Sequence, residues 1–273
     1  MKYIFLDVDG TLYSSALGAV PRSAQEAIKA ARANGAKVFL CTGRSLAECM
    51  QYLNDDLDGY VFAAGAMIYA DKKRIYDRPM PSEDVKMLGR FLERYRMGWT
   101  KEGQAGAYCS EAAYEFLLPY FAGGETTRSV MVQQSMENGC YPADYMDPEE
   151  KIYKVCGFKN GFGTDFERMK KEVPDPYSVL VTMQDERGEG CEITDSHITK
   201  ATGIARVLDY YGACMADAVA VGDSENDIPM LEACGTGIAM GNAFESVKRV
   251  ADWVTTDIMD DGIWNAFEHI GVL

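Results

Sequence analysis

The strongest chemical signal in the sequence is a pair of aspartates separated by one residue, Asp7 and Asp9. They follow the apolar run Tyr3–Leu6, which is typical of a strand buried on both faces, and they precede Gly10. Ligands of open parallel sheets bind beyond the carboxyl ends of the strands, where this pair falls. An ordinary Asp-x-Asp-Gly turn is the alternative. A calcium loop is excluded because its twelfth position, Gly18, has no carboxylate.

Two further segments carry groups that suit a phosphate. Thr42 and Gly43 directly follow an apolar run at residues 38–40, and a hydroxyl and a glycine N–H at a strand-to-helix junction can donate to phosphate oxygens. A simple helix cap by Thr42 explains the same pattern. Lys200 opens a helix-period stretch after a β-rich run at residues 192–194, although a lone lysine is more often a solvated surface charge.

The fourth segment packs three acidic residues into five positions, Asp223, Glu225 and Asp227, with Asn226 between the last two. Such carboxylates repel one another unless a cation lies among them, and Mg²⁺ takes one or two carboxylates, water and substrate phosphate as ligands. An acidic helix N-terminus is the ordinary explanation, because the helix dipole favours it. Four such segments, each expected beside the carboxyl end of a strand, together favour a cation and phosphate site over four coincidences.

The elements that must position these residues alternate between strands and helices. Short β-rich runs and helix-period stretches alternate over the first 70 residues and again from about residue 191, which predicts a parallel sheet in an α/β domain. The intervening block has longer connections between its predicted elements and a different order of strands and helices. The sequence therefore predicts a discontinuous domain, residues 1–80 plus 188–273, with a second α/β domain inserted at residues 81–187.

Composition narrows the function. The 273 residues carry 42 acidic and 27 basic side chains, a net charge of −15, and no basic run, so neither nucleic acid nor an anionic membrane surface is expected as a partner. The 8 cysteines include no C-x-x-C pair, which predicts reduced thiols and no zinc site. No signal peptide is recognisable, and no apolar run reaches the roughly 18 residues of a membrane span. The sequence thus predicts a cytoplasmic protein.

The ordered set DVDGT, CTGR, Lys200 and GDSENDIPML resembles the haloacid dehalogenase (HAD) superfamily of phosphohydrolases. More narrowly, the chain resembles the Cof-type subfamily, in which a large α/β cap is inserted into a Rossmann-like parallel-sheet core. The segments GIAMGNA at 237–243 and ADWVTTDIMDDGI at 251–263 are similar to the closing segments of that subfamily. One departure is Ala64, where the subfamily often has asparagine; if that asparagine contacts the leaving group in relatives, the substrate site of this chain differs.

The resemblance implies a role for each residue of the motifs. Asp7 would be the nucleophile that forms an aspartyl-phosphate, and Asp9 would first protonate the leaving group and then activate water. Mg²⁺ would be held by the carboxylates of Asp7 and Asp223 and by the backbone carbonyl of Asp9. Asp227 would orient Lys200 or a metal-bound water. The groups expected to bind the substrate phosphate are Thr42, Gly43, Lys200 and Asn226. For Arg44, contact with the substrate and simple packing at the surface remain equal alternatives.

The implied function is a Mg²⁺-dependent phosphatase of small phosphorylated metabolites, a sugar phosphate or a phosphorylated cofactor. A phosphomutase and a phosphometabolite-binding regulator without turnover are the alternatives. The small phosphorylated substrate is the one expected partner, and the oligomeric state stays open between monomer and weak dimer. The inserted domain would choose the leaving group, with Trp99, Tyr108 and Tyr114 either lining its pocket or filling its own core.

Overall fold

Two β-sheets organise the chain, which the computed structural model describes over residues 1–53, 56–121 and 127–273. The strands are, in chain order, β1 (Tyr3–Leu6), β2 (Lys37–Cys41), β3 (Gly59–Phe62), β4 (Met67–Ala70), β5 (Lys73–Asp77), β6 (Gly98–Gly103), β7 (Ala107–Cys109), β8 (Cys140–Pro142), β9 (Ile152–Lys159), β10 (Tyr177–Asp185), β11 (Gly188–Asp195), β12 (Ala218–Gly222), β13 (Thr236–Ala239) and β14 (Trp253–Val254). The α-helices are α1 (Arg22–Ala33), α2 (Ser82–Arg94), α3 (Glu111–Leu117), α4 (Arg128–Glu137), α5 (Phe166–Glu172), α6 (Lys200–Tyr211), α7 (Ile228–Ala233), α8 (Glu245–Lys248) and α9 (Gly262–His269).

The larger sheet has the strand order β14-β13-β12-β1-β2-β3-β4-β5. The pairs from β14 through β3 are parallel, and β4 and β5 continue the sheet as an antiparallel edge. All four residues of β1 and all five of β12 are buried, as expected for strands covered on both faces. The predicted α/β fold with a Rossmann-like parallel-sheet core is confirmed.

Helix α1 has one apolar face. In α1 the buried positions follow the helical period, and the exposed positions between them are mostly polar. Ser23 is a candidate N-cap by residue type, but α1 begins at Arg22 with Pro21 at the cap position, so Ser23 lies inside the first turn. The residue pattern at 46–53 predicts an α-helix, but the structure has a 3₁₀ helix there, Ala47–Tyr52. Its backbone bonds close after three residues, as in the Cys49 N–H to Leu46 O bond of 3.0 Å.

The smaller sheet has the order β10-β11-β9-β6-β7-β8 and is mostly antiparallel. An apolar cluster that includes Leu88 and Leu92 of α2, Met169 of α5 and Val155 of β9 covers one face of it. Charged groups are also buried in this unit. Lys154 lies 2.9 Å from the Glu102 carboxylate and 3.0 Å from that of Glu192, so the buried ammonium is neutralised locally.

Two units result from this arrangement of strands. The first contains Met1–Arg44, Tyr52–Asp77 and Ile198–Leu273, and the second contains Ser45–Gln51 and Arg78–His197. The sequence placed residues 188–197 with the first domain, whereas β11 lies in the second unit. The reason is its pairing: β11 forms a hairpin with β10 and also pairs with β9, which places both of its neighbours in the smaller sheet.

A close approach of two glycines fixes the start of α6 against the end of β3. A methyl group on Gly203 would lie 2.9 Å from the Gly65 Cα and 2.7 Å from Val61 Cγ1. A methyl group on Gly65 would lie 2.8 Å from the Thr199 carbonyl oxygen. Thr199 is the N-cap residue of α6, where its side chain accepts a hydrogen bond from the Thr202 N–H. The N-terminus of α6, and Lys200 with it, is thereby placed beside the sheet.

None of the helices in the described ranges combines the length and the apolar character needed to cross a membrane. All 8 cysteines are free thiols, and 7 of them are buried; the exposed one is Cys214.

The turn after β3 holds alanine in a backbone conformation that alanine disfavours. Ala64 has φ +54° and ψ +21°, in the left-handed region that glycine and asparagine adopt more readily. The asparagine usual at this place in the Cof-type subfamily therefore suits the backbone, whatever its side chain contacts.

We expect the substitution Ala64→Gly to raise the free energy of unfolding by about 0.5–1 kcal/mol, because relief of the left-handed strain outweighs the added freedom of the unfolded chain. Chemical denaturation measures it. As a control, Ala30→Gly inside α1, where φ is helical, should lower the same free energy by about 1 kcal/mol. A decrease in both variants would show that Ala64 is not strained.

Candidate active site

The acidic motifs meet at the carboxyl ends of adjacent strands. Asp7 follows β1 and Asp223 follows β12, which pair in parallel with Leu6 opposite Val221. One carboxylate oxygen from each of Asp7, Asp223 and Asp227 lies within 4.8 Å of the others. The ammonium group of Lys200 lies 2.6 Å from Asp7 Oδ1 and 2.5 Å from Asp227 Oδ1. Segments more than 190 residues apart thus form one buried cluster.

A tight turn brings the first motif against Asp223. The carbonyl of Val8 accepts hydrogen bonds from the N–H groups of Thr11, Leu12 and Tyr13, and Gly10 within this turn has φ +80°. A Cβ atom on Gly10 would lie 2.4 Å from Asp223 Oδ2, so the motif needs glycine for space as well as for conformation. The Thr11 hydroxyl donates to Asp223 Oδ1 at 2.8 Å and holds that carboxylate in place.

Asp227 uses both of its oxygens inside the protein. Its Oδ1 faces Lys200, and its Oδ2 accepts hydrogen bonds from the N–H groups of Asp223 and Ser224, each at 3.0 Å. Its side chain is fully buried. Lys200 and the loop that presents Asp223 therefore occupy both oxygens of Asp227, which fits the expectation that Asp227 orients Lys200.

The charges of the cluster do not balance without a cation. Burial and the nearby charge of Asp227 raise the pKa of Asp7 to about 7, although Lys200 acts in the opposite direction. Burial likewise raises the pKa of Asp223 to about 6, against the hydrogen bond from Thr11. Burial alone would lower the pKa of Lys200, but Asp227 and Asp7 outweigh it and the pKa is raised. Three carboxylates beside one ammonium group therefore fit a divalent cation, for which Asp7 and Asp223 are the available ligands.

The expected phosphate-binding groups lie around the same point. Thr42 is buried directly after β2, with its N–H bonded to the Val61 carbonyl at 2.9 Å. A Cβ on Gly43 would lie 3.7 Å from Asn226 Nδ2, which places these two residues side by side. Asn226 Oδ1 accepts a hydrogen bond from the Ser224 hydroxyl at 2.6 Å and lies 3.4 Å from Lys200 Nζ, so the Asn226 amide is oriented to donate. Lys200 thus contacts Asp7, Asn226 lies beside Lys200, and Gly43 lies beside Asn226.

The side chain of Asp9 lies outside the buried cluster. It is 56% exposed, and its two oxygens lie 2.6 and 2.7 Å from the guanidinium nitrogens of Arg44. The Asp9 carboxylate therefore stays apart from those of Asp7, Asp223 and Asp227, as its expected acid/base role requires. Arg44, for which the sequence left two interpretations open, therefore has a specific partner within the motif region.

Two residues that position the site could not be assigned from the sequence. One is Thr11, which lies inside the first motif but whose partner is 212 residues away. The other is Asn242, whose amide donates to the Gly10 carbonyl at 2.7 Å and whose Oδ1 accepts from the Ile258 N–H at 3.0 Å. The only available signal was the segment at 237–243, which indicates the family but not which of its side chains supports the first loop.

The aromatic residues considered for a leaving-group pocket are largely structural. Tyr108 belongs to the apolar cluster of the second unit, and Tyr114 is buried with its hydroxyl 2.6 Å from Ser135 Oγ. Trp99 packs against the same unit and donates from Nε1 to Glu93 at 2.9 Å. Tyr108 and Tyr114 are therefore part of the core of the second unit. The indole of Trp99 has Glu93 as its polar partner.

The core is a parallel sheet whose strand ends carry an acidic cluster with one buried lysine, and a second sheet is inserted into its sequence. These features are the ones expected of the HAD phosphohydrolases. Comparison with known proteins agrees. A model of the haloacid dehalogenase-like hydrolase family matches residues 4–267. This chain therefore belongs to the haloacid dehalogenase-like hydrolases, and it is a phosphatase.

Individual relatives match over nearly their full length. Phosphatase YwpJ of Bacillus subtilis is 27% identical over 286 residues, covering 99% of this chain and 100% of YwpJ. The 5-amino-6-(5-phospho-D-ribitylamino)uracil phosphatase YwtE of the same organism is 28% identical over 279 residues, covering 96% of each chain. Among solved structures, the HAD-superfamily phosphatase BT1666 from Bacteroides thetaiotaomicron has a TM-score of 0.77 and 26% identity, covering 100% of this chain and 96% of that one.

We expect Mg²⁺ to stabilise the wild-type protein, because it relieves repulsion between Asp7 and Asp223. At a hundredfold excess of Mg²⁺ over its Kd the free energy of unfolding should rise by about 2.7 kcal/mol. The substitution Asp223→Asn should remove most of that rise while leaving the metal-free protein at least as stable as the wild type. Thermal unfolding with and without Mg²⁺ measures both quantities.

The control for this experiment is Asp209→Asn, at an exposed position of α6, which should retain the full Mg²⁺ effect. An equal Mg²⁺ effect in the wild type and in Asp223→Asn would show that the cation binds elsewhere.

Proposed function

We propose that this protein is a Mg²⁺-dependent phosphatase that hydrolyses small phosphorylated metabolites through a phosphoaspartate formed on Asp7. The observation that carries the proposal is the buried cluster in which Lys200 contacts Asp7 and Asp227 while Asp223 lies across from them. A nucleophilic carboxylate, a fixed ammonium group and an excess of negative charge suited to a divalent cation are the parts that phosphoryl transfer needs.

Asp7 is held for attack rather than left mobile. Its N–H donates to the Val221 carbonyl at 3.0 Å, and Lys200 fixes its Oδ1, so the carboxylate has a defined direction at the end of β1. Orientation of this kind lowers the barrier because the entropy of bringing the groups together is lost during folding. The carboxylate would displace the alcohol from phosphorus, forming the Asp7–phosphate bond as the ester P–O bond breaks.

The phosphate oxygens would be bound by Thr42, the Gly43 N–H, Lys200 and the Asn226 amide. These groups are preorganised by the sheet and the loops, so they need not rearrange as negative charge develops on the oxygens. Mg²⁺ would be held by the carboxylates of Asp7 and Asp223 with the Asp9 carbonyl, where it supplies electrostatic stabilisation of the transferring phosphoryl group.

Asp9 would serve both half-reactions. In the first, it gives its proton to the departing alcohol oxygen; in the second, it takes a proton from the water that attacks the phosphoaspartate and releases inorganic phosphate. The exposed position of this side chain, outside the acidic cluster, supports that role.

We assign the choice among metabolites to the inserted domain, residues 81–187, because every group assigned above to the phosphoryl group lies in the first unit. The relative YwtE is named for a phosphate ester on a ribityl chain, which favours sugar phosphates and phosphorylated cofactors as the substrate class.

We expect the wild-type protein with Mg²⁺ to release inorganic phosphate from an aryl phosphate and from members of a panel of sugar phosphates. Chelation by EDTA should abolish turnover, and Asp7→Asn should lose more than the roughly 10²–10³-fold that removal of one preorganised donor costs. Asp209→Asn is the surface control and should be as active as the wild type.

Full activity of Asp7→Asn, or activity that EDTA does not affect, would contradict the proposal. Conversion of a hexose phosphate to an isomer without release of phosphate would identify a mutase instead. Tight binding of a sugar phosphate with no turnover at saturating Mg²⁺ would identify a regulator.

A further inference from the structure

The side chains of Asp9 and Arg44 form a bidentate ion pair between the first two motifs, DVDGT and CTGR. Arg44 Nε lies 2.7 Å from Asp9 Oδ2, and a terminal guanidinium nitrogen lies 2.6 Å from Oδ1. Both contacts are short, charge-assisted hydrogen bonds, and the planar fork of arginine fixes the plane of the carboxylate as well as its position. Within the described ranges, Arg44 is the residue that the structure shows donating to this carboxylate.

Arg44 is itself anchored, so that it can act as a fixed support. Its carbonyl accepts the Ala63 N–H at 2.8 Å, and its own N–H donates to Thr42 Oγ1 at 3.1 Å. Its guanidinium lies 5.7 Å from the centre of the Tyr52 ring, within the range of a cation–π contact. The main-chain position of Arg44 is therefore set by the ends of β2 and β3.

Tyr52 also contacts the loop that carries Asp9. The ring of Tyr52 packs edge-on against Tyr13 at 5.5 Å, and Tyr13 forms a β-bridge with Asp9. Arg44, Tyr52 and Tyr13 thus hold Asp9 from the side chain and from the backbone. A surface ion pair of two long, mobile side chains contributes little, but this pair joins two loops that are each fixed by other bonds.

We propose that Arg44 is the positioning residue for the acid/base carboxylate of Asp9, which it holds in the orientation needed to protonate the leaving oxygen of the substrate. The inference rests on the proposed function. The competing role, a direct phosphate contact by Arg44, is disfavoured because both hydrogen bonds of the guanidinium to Asp9 direct it at that carboxylate.

The pairing serves both protonation states of Asp9. A carboxylic acid keeps an acceptor oxygen, so Arg44 can hold it by one hydrogen bond while the O–H faces the leaving oxygen. As the Asp7–phosphate bond forms and the ester bond breaks, the proton moves from Asp9 to the alcohol. The resulting carboxylate accepts both hydrogen bonds from Arg44, and it can accept a proton from water in the second step.

The test compares two substrates in Arg44→Gln and Arg44→Lys. Glycerol phosphate needs a proton on its leaving oxygen, whereas p-nitrophenyl phosphate has a leaving group that departs as the anion. We expect kcat/KM for glycerol phosphate, or for the best alcohol ester of the panel, to fall about 10²-fold or more in both variants, as general acid catalysis typically contributes 10²–10⁴-fold. For p-nitrophenyl phosphate the loss should stay below about threefold.

The double variant separates positioning from independent effects. Asp9→Asn alone should show the same dependence on the leaving group, and adding Arg44→Gln to it should cost almost nothing further, because the two residues act as a unit. Arg249→Gln, at an exposed position of the same unit, is the matched control and should behave as the wild type. Circular dichroism and Mg²⁺ titration calorimetry should give wild-type values for Arg44→Gln, which shows that fold and metal site are intact.

Equal losses on both substrates would overturn the inference and make Arg44 a phosphate ligand; no loss on either would make it a structural surface pair. Either result would leave the proposed phosphatase activity standing. If the wild type hydrolyses neither the aryl ester nor any alcohol ester, the proposed function fails, and this inference fails with it.

Discussion

The contact on which the site depends is the buried ammonium group of Lys200 between two aspartates. Lys200 is 1% exposed, and it lies within 2.6 Å of Asp7 and 2.5 Å of Asp227. A buried charge of this kind persists only when partners neutralise it. Lys200 is brought to the strand ends by the glycine contact between α6 and the turn after β3, so the fold and the charge cluster stabilise each other. The remaining negative charge of the cluster is suited to a divalent cation.

Much of the core could be predicted from the sequence, because burial on both faces leaves a strong pattern. The apolar runs that became β1 and β12 directly precede Asp7 and Asp223, and in a parallel sheet such positions meet at one edge. From that rule alone, the sequence predicts that residues distant in the chain lie close together. The family assignment and the enzyme class followed from the same motifs.

Other features depend on contacts that no local pattern encodes. The sequence of strand β11 does not show which sheet it joins, and only its pairing with β9 and β10 places it in the second unit. The Asp9–Arg44 pair joins residues 35 apart whose types are common on surfaces. Asn242 acts on the Gly10 carbonyl from 232 residues away. Each of these depends on tertiary geometry rather than on local spacing.

The central claim, that the Asp7 carboxylate forms a covalent bond to phosphorus, is tested most directly by locating the phosphate. The wild-type protein is mixed with Mg²⁺ and its best substrate, quenched with acid within one turnover, and mapped by mass spectrometry of its peptides. We predict a phosphoryl group on the peptide that contains Asp7, specifically on that side chain. A phosphoryl group on any other residue, or turnover with no phosphorylated peptide at any quench time, would contradict the claim.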